Sequence, residues 1–407
     1  MDFEGLVFRG RESYQRDDFD AFLHDVHFSY VTPSIHIAGT NGKGSTATYL
    51  STLYQAAGYK VGLFTSPFLV INNEMISING VFINDEEAKQ IIEPVKDKIV
   101  KHKLSSFEIE TYIAFRYFDM NECDIGIIEC GMGGEIDATN VFEPILSIIT
   151  SVGLEHTNFL GVSYHEVAAH KAGIIKRGVP VLISNLNEES ELTVSSIAKS
   201  KKSTVYKVRE INSYSINENG AKFSFALFPD INLPSLAYYE IKDCCIALEA
   251  ALLLKEKLPF CDEIVENCFK NTKISARLEV IKSDPIVIID GAHNPDAINA
   301  LVESMNIAFP TQNIHIIFAS FLDKNISLML PKLAVLSNDL TLTTFEHERA
   351  RKIDDYFIYA DDYCFEQDYK TLIKRKISEC KGDVILITGS LAFAGLVSDE
   401  FKKGEYR

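Results

Sequence analysis

Ile35-His36-Ile37-Ala38-Gly39-Thr40-Asn41-Gly42-Lys43-Gly44-Ser45-Thr46 opens with a β-branched apolar run, turns through a glycine-rich bend and enters an amphipathic run that lasts to about Ala57. Strand, loop and helix in that order are what a phosphate-binding loop needs. Glycines permit φ > 0 and let backbone N–H groups point into one concavity, and the helix that follows turns its positive end toward the same spot. Lys43 then reaches the β- and γ-phosphates of a nucleotide, while Ser45 or Thr46 meets a Mg²⁺. The spacing departs from the common Gly-x-x-x-x-Gly-Lys-Ser/Thr pattern: Gly39 and Gly42 stand closer together, and Gly44 separates Lys43 from Ser45. A plain glycine turn between strand and helix is the other reading of this stretch.

Working outward, a short helix is expected around Phe19 to Leu23, and Gly58 stops the helix that follows the loop. A second strand at Lys60 to Phe64 makes the unit strand–helix–strand, which implies a parallel sheet with a right-handed crossover. Thr65-Ser66-Pro67 leaves the carboxyl end of that strand, where such sheets bind ligands. Asn79-Gly80 within an alternating run predicts a hairpin. Two further apolar strands end near Glu129 and Val152, and the second runs on to His156. A carboxylate at a strand end facing a phosphate loop is where a Mg²⁺ ligand stands, although such an acid also meets solvent. His156 alone reads as structural, but three strand ends offering Lys43 and Ser45, Glu129 and His156 to one rim favour a site. Antiparallel strands are expected between residues 203 and 226, and helices at about 237–257 and 262–271. The stretch 274–283 reads as a crossing between domains, and strands at 285–290, 314–319, 339–344 and 384–388 alternate with helices after it. The fold class is therefore α/β: a P-loop-type parallel-sheet N-terminal ATPase domain followed by a smaller Rossmann-like α/β domain.

The 407 residues exceed one ordinary domain, and the expected division is 1–276, a linker at 277–283, and 284–407. With 46% hydrophobic and 24% charged residues the chain has material for full cores. A net charge of −17 argues against binding nucleic acid or an anionic membrane surface. Eight cysteines include no C-x-x-C pair, so buried thiols in a reducing cytoplasm are the simplest reading. The start, Met1-Asp2-Phe3-Glu4, is acidic and has no apolar signal core, and no run of about 18 apolar residues occurs.

Seven stretches recur in the order of a known family: Gly39 to Ser45, Thr65-Ser66-Pro67, Glu129-Cys130-Gly131-Met132-Gly133-Gly134, Asp137-Ala138-Thr139-Asn140, His156, Lys171-Ala172-Gly173-Ile174-Ile175-Lys176 and Asp290-Gly291-Ala292-His293-Asn294-Pro295. From about residue 34 onward the chain resembles folylpolyglutamate synthase / dihydrofolate synthase, within the Mur ligase superfamily. The resemblance implies an ATP-dependent amide ligase that adds L-glutamate to a folate through an acyl phosphate. The acceptor is a tetrahydrofolate, dihydropteroate, or both.

It also implies site residues. Thr40, Asn41, Gly42, Lys43, Gly44 and Ser45 would hold the ATP phosphates, and Asp243, Arg277, Asp290 and His293 would contact ATP. Ser66, Glu129 and His156 would hold Mg²⁺, with two ions expected. Lys171, by itself a solvated helix lysine, matches a carbamylated lysine that supports the second metal, and Lys43, Lys171 and His156 form the catalytic set. Phe107 and Asp137 fall where the family binds the pterin. Two positions depart from the family pattern, Glu135 in place of Arg and Asp243 in place of Asn, and the N-terminal segment lacks the usual Gly/Pro-rich stretch. A monomer acting on small molecules is expected. The competing readings are another Mur-type amino-acid ligase and a nucleotide-binding regulator without catalysis.

Overall fold

The computed structural model describes Met1 and residues 16–406, so the acidic start at residues 2–4 lies outside the described residues. Seventeen strands within them form three sheets. The largest contains β1 (Ser34–Ala38), β2 (Val61–Phe64), β3 (Ile76–Ile78), β4 (Val81–Phe82), β5 (Ile125–Glu129), β6 (Leu146–Ile149), β7 (Val181–Ile183) and β8 (Val205–Lys207). Its spatial order is β4-β3-β2-β5-β1-β6-β7-β8, with β2 through β8 parallel apart from the β3–β4 hairpin at one edge. Every residue of β1, β5 and β6 is buried. That explains why these strands read as continuous apolar runs: a parallel sheet is covered on both faces.

Register levels the strand ends. Ile37 is paired with Glu129 on one side and with Ile148 on the other. The backbone ladder then runs on into the loops, with Cys130 N–H donating to Ile37 O and Thr150 N–H to Ala38 O, both at 2.9 Å. The expected Asn79-Gly80 turn closes the β3–β4 hairpin with φ of 49° and 76°, both left-handed, as a two-residue hairpin turn requires. The Ser106–Met120 helix starts on a capping box: Ser105 N–H donates to Glu108 Oε2 at 2.6 Å and Glu108 N–H to Ser105 Oγ at 3.3 Å. Its buried positions Phe107, Ile109, Tyr112, Ile113 and Phe115 join the core that also holds Phe22, Phe64 and Ile128.

The second sheet is a meander of β9 (Ile211–Asn217), β10 (Gly220–Phe225) and β11 (Phe228–Leu233). The third contains β12 (Glu279–Ser283), β13 (Ile286–Ile289), β14 (Ile314–Phe318), β15 (Leu340–Thr344), β16 (Cys364–Asp368) and β17 (Val384–Thr388). Its order is β12-β13-β17-β14-β15-β16, parallel except for β12. The chain splits into two compact units: Met1–Ile211 with Asp243–Phe269, and Asn212–Lys242 with Lys270–Arg407.

These two units divide the chain differently from the expected division at residue 276. Residues 212–242 side with the second unit because side chains tie them there: Tyr238 N–H donates to Ser304 Oγ at 3.0 Å and the Tyr239 hydroxyl to Asp290 Oδ2 at 2.5 Å. The expected linker at 277–283 is largely a strand, β12, laid antiparallel on β13. Two further elements escape the sequence reading. β16 is a mostly exposed edge strand without a clear apolar period, and β8 extends the large sheet instead of joining the meander.

Candidate active site

In the first unit the loop from residue 39 to 42 leaves β1 and turns into the Lys43–Ala56 helix through Gly42, whose φ is 82°. A side chain there is strained, and its Cβ would come 2.3 Å from Asp243 Oδ1. The loop is stitched to the segment after β6. Asn41 N–H donates to Ser151 Oγ at 2.8 Å, the Thr150 and Ser151 hydroxyls donate to Asn41 O at 2.6 and 2.9 Å, and Gly153 N–H donates to Thr40 Oγ1 at 2.9 Å. Gly39 is packed so closely that a Cβ would meet Thr150 Oγ1 at 1.9 Å. These bonds spend loop groups on holding shape, and the helix N-terminus is left facing the strand-end side. Gly42→Ala is expected to lower nucleotide affinity at least 10-fold while shifting stability by about 1–2 kcal/mol, the toll of a left-handed non-glycine residue; nucleotide KM and a urea midpoint measured together check it.

Glu129, at the end of β5, is 3% exposed and is the hub of this rim. Its Oε2 accepts from Ser66 N–H at 3.0 Å and its Oε1 lies 3.9 Å from Lys43 Nζ. Gly44 passes so near that a Cβ would stand 3.3 Å from Oε2. The structure thus brings Lys43, Gly44, Ser66 and Glu129 together from three strand ends. His156 follows β6 in a left-handed conformation (φ 52°) and lies 4.0 Å from the Glu155 carboxylate.

Lys171, within the Tyr164–Ala172 helix, is 2% exposed. Burial, reinforced by the positive field of Lys43, lowers its amine to about 7. Glu155, Cys130 and Asp137 act in the opposite direction. Glu155 was not singled out in the sequence, although it directly precedes His156 in the strand-end stretch.

Asp137 is fully buried. Its Oδ2 accepts from Met132 N–H at 2.8 Å, and its Oδ1 accepts from the Thr139 N–H at 2.9 Å and the Thr139 hydroxyl at 2.5 Å. Desolvation still raises its carboxyl above the usual carboxylate range. With its proton given to Asp137, Thr139 Oγ1 accepts from His36 Nε2 at 2.9 Å, and burial lowers His36 to about 3, so the ring is neutral. Phe107 is 5% exposed, lies under Gly131, where a Cβ would meet its ring at 2.6 Å, and stacks on Phe64 with centroids 5.9 Å apart. Both positions expected at the pterin are therefore engaged in closing the glycine loop.

In the second unit Asp290 ends β13 and is 2% exposed. It accepts from Leu278 N–H at 2.9 Å, Ala292 N–H at 2.8 Å and the Tyr239 hydroxyl, so it anchors the 276–278 segment, where Ala276 and Leu278 have φ of 55° and 46°. Tyr239 carries no local sequence signal linking it to a residue 51 positions away. Arg277 Nη1 donates to Ala276 O at 3.2 Å and lies against Gly291. His293 Nδ1 is 2.7 Å from Gly291 O, which assigns the proton to that nitrogen. Asn294 caps the Pro295–Ala308 helix by accepting from Ala297 N–H at 2.8 Å. Asp243 lies in the first unit, where its backbone carbonyl accepts from Thr46 Oγ1 at 3.4 Å.

Among the described residues no group of three or more His, Cys, Asp or Glu side chains is placed to hold a metal ion by itself. Mg²⁺ is ordinarily held by one or two carboxylates together with waters and substrate phosphates, and Glu129 with Ser66 offers that kind of donor set. No described helix is long and apolar enough to cross a membrane.

Residues 37–233 match the Mur ligase middle domain, and residues 276–391 match the Mur ligase glutamate ligase domain. The chain is 32% identical over 390 residues to the dihydrofolate synthase/folylpolyglutamate synthase of Bacillus subtilis, covering 91% of this chain and 90% of that protein. It is 29% identical over 389 residues to the folylpolyglutamate synthase of Lacticaseibacillus casei, with 91% and 90% covered. Among solved structures, Mycobacterium tuberculosis folylpolyglutamate synthase complexed with ADP superposes with a TM-score of 0.88 at 25% identity, over 97% of this chain and 95% of that one.

Proposed function

This chain belongs to the dihydrofolate synthase/folylpolyglutamate synthase family of Mur-type ligases, and on that premise we propose how its own residues carry ATP-dependent addition of L-glutamate to a folate. The observation that carries the reading is the convergence of Lys43 and the Ser66 backbone on the Glu129 carboxylate beside a helix N-terminus.

The chemistry requires activation, because a carboxylate oxygen is a poor leaving group toward an amine. The folate carboxylate attacks the γ-phosphorus of ATP and ADP leaves, forming an acyl phosphate. The glutamate amine then attacks the acyl carbon, phosphate departs and the amine loses its proton. Backbone N–H groups of residues 40 to 45 cradle the phosphates, and Lys43 offsets charge on the transferring group. Glu129 and Ser66 would hold Mg²⁺, with His156 assigned to the same ion, and the ion would supply Lewis-acid polarisation of phosphoryl oxygens. The Glu129 carboxylate fixes the Ser66 backbone through its N–H.

Carbamylation of Lys171 is supported by its environment. Only a neutral amine adds to CO₂, and an amine lowered to about 7 is largely neutral just above that pH. The carbamate would turn a buried cation into an anion near Lys43. Arg277, Asp290, His293 and Asp243 are assigned to ATP contact, and Phe107 and Asp137 to the wall of the pterin site. Asp137 shapes that wall through its own loop.

The test is ADP release with L-glutamate plus tetrahydrofolate, dihydropteroate or a UDP-muramoyl peptide. Release with a folate substrate and none with the muramoyl peptide is the expected result. Release with the muramoyl peptide alone, or with none of the three, rejects this assignment.

A further inference from the structure

In the third sheet the C-terminal ends of β15, β14 and β17 lie side by side, with Phe318 in register with both Leu342 and Thr388. Open parallel sheets take their ligands outside such ends. The loop leaving β14, residues 320–324, is clamped there by residues 349–351. Arg351 Nη2 donates to the carbonyls of Leu322 and Lys324 at 2.9 and 3.1 Å, and Arg351 N–H donates to Ser320 O at 2.9 Å. Leu322 N–H donates to Arg349 O at 2.9 Å, and Phe321 and Ala350 form an antiparallel bridge. The Arg349 guanidinium sits over the Phe321 ring, 4.7 Å from its centroid, and reaches Asp323 at 3.2 Å.

A second observation at the same strand ends points to a ligand. Arg351 Nε and the hydroxyls of Thr344, Thr388 and Ser390 are buried without a hydrogen-bond partner. Buried polar groups are ordinarily paired, and the three hydroxyls are donors that a carboxylate-bearing molecule satisfies. The core beneath them offers no such acceptor, since Phe318, Leu342 and Leu386 fill it.

We propose that Arg351 is a positioning residue for the amino-acid substrate: its Nη2 amino group, donating to two carbonyls, holds the 320–324 loop in the shape that presents this strand-end rim to the L-glutamate carboxylates. The proposal rests on the reading that the chain ligates glutamate. Lysine is a poor substitute, because the guanidinium plane fixes the direction of both Nη2 hydrogens, whereas an ammonium on a flexible stem is free to turn.

The test is steady-state kinetics of Arg351→Ala and Arg351→Lys with ATP, folate and L-glutamate each varied. Loosening a positioning group by about 1 Å costs about 10²-fold, so KM for L-glutamate is expected to rise about 10- to 100-fold in Arg351→Ala. KM for ATP should stay within about twofold, Arg351→Lys should recover part of the loss, and added ethylguanidinium should restore Arg351→Ala in part. A uniform fall in kcat with an unchanged glutamate KM overturns the proposal. If Arg351→Ala does not fold, Arg351→Lys decides it by the same KM comparison. Absence of glutamate-dependent ADP release in the unmutated protein rejects the ligase reading itself; activity there with unchanged glutamate KM in the variants rejects only the role of Arg351.

Discussion

Lys171→Ala is expected to lower glutamate-dependent ADP release by about 10²- to 10³-fold, the range for removing one preorganised charge from a transition-state site, and Lys171→Arg is expected not to restore it. The amine is 2% exposed and lowered to about 7, chiefly because burial disfavours its charged form. A side chain needed as a cation at that place would be rescued by arginine. One needed as a carbamate anion is instead rescued in part, in Lys171→Ala, by a small added carboxylate such as acetate. Full activity of Lys171→Arg would remove the carbamate from this mechanism. The same shift has a stability signature. Between about 7 and the ordinary 10.5 the unfolded chain binds a proton that the folded amine does not. Stability therefore rises as pH is raised through that window and is lost again as pH falls toward 7. Lys171→Met lacks this slope, which urea midpoints at pH 7 and 9 measure.

Glu129→Gln is the second large effect. The substitution preserves shape and an acceptor for Ser66 N–H but removes the negative charge that Lys43 faces and that the proposed Mg²⁺ would face. Turnover is expected to fall about 10²-fold, with the Mg²⁺ concentration for half-maximal ADP release raised about 10- to 100-fold, as for loss of a metal-orienting carboxylate. A Mg²⁺ titration of both proteins checks it. An unchanged midpoint would reduce Glu129 to a structural partner of the Ser66 turn.

Much of the site was legible because the chemistry is carried by short local stretches. Gly42 must be glycine for a backbone reason that is visible in sequence, and Glu129 ends an apolar run whose length marks a buried strand. Phe107 and Asp137 were named for their positions in motifs. Their engagement beneath and within the glycine loop depends on Gly131, Met132 and Thr139 closing over them, which no local pattern states. That residues 212–242 pack with the second unit was not legible because its cause is long-range: Tyr239 reaches Asp290 and Tyr238 reaches Ser304 across more than fifty residues.

Taken alone, the order of residues determined the α/β class, the strand–loop–helix order of a phosphate-binding loop, and the placing of Lys43, Ser66 and Glu129 at strand ends, because period, glycine placement and strand-end polarity act over a few neighbouring residues. Only the tertiary structure decided that Lys171 is buried and its amine lowered, that Asp290 anchors the 276–278 segment, and that Arg351 clamps the loop after β14. Desolvation and hydrogen bonding between distant segments arise from packing, and packing brings together residues whose separation along the chain carries no record of their contact.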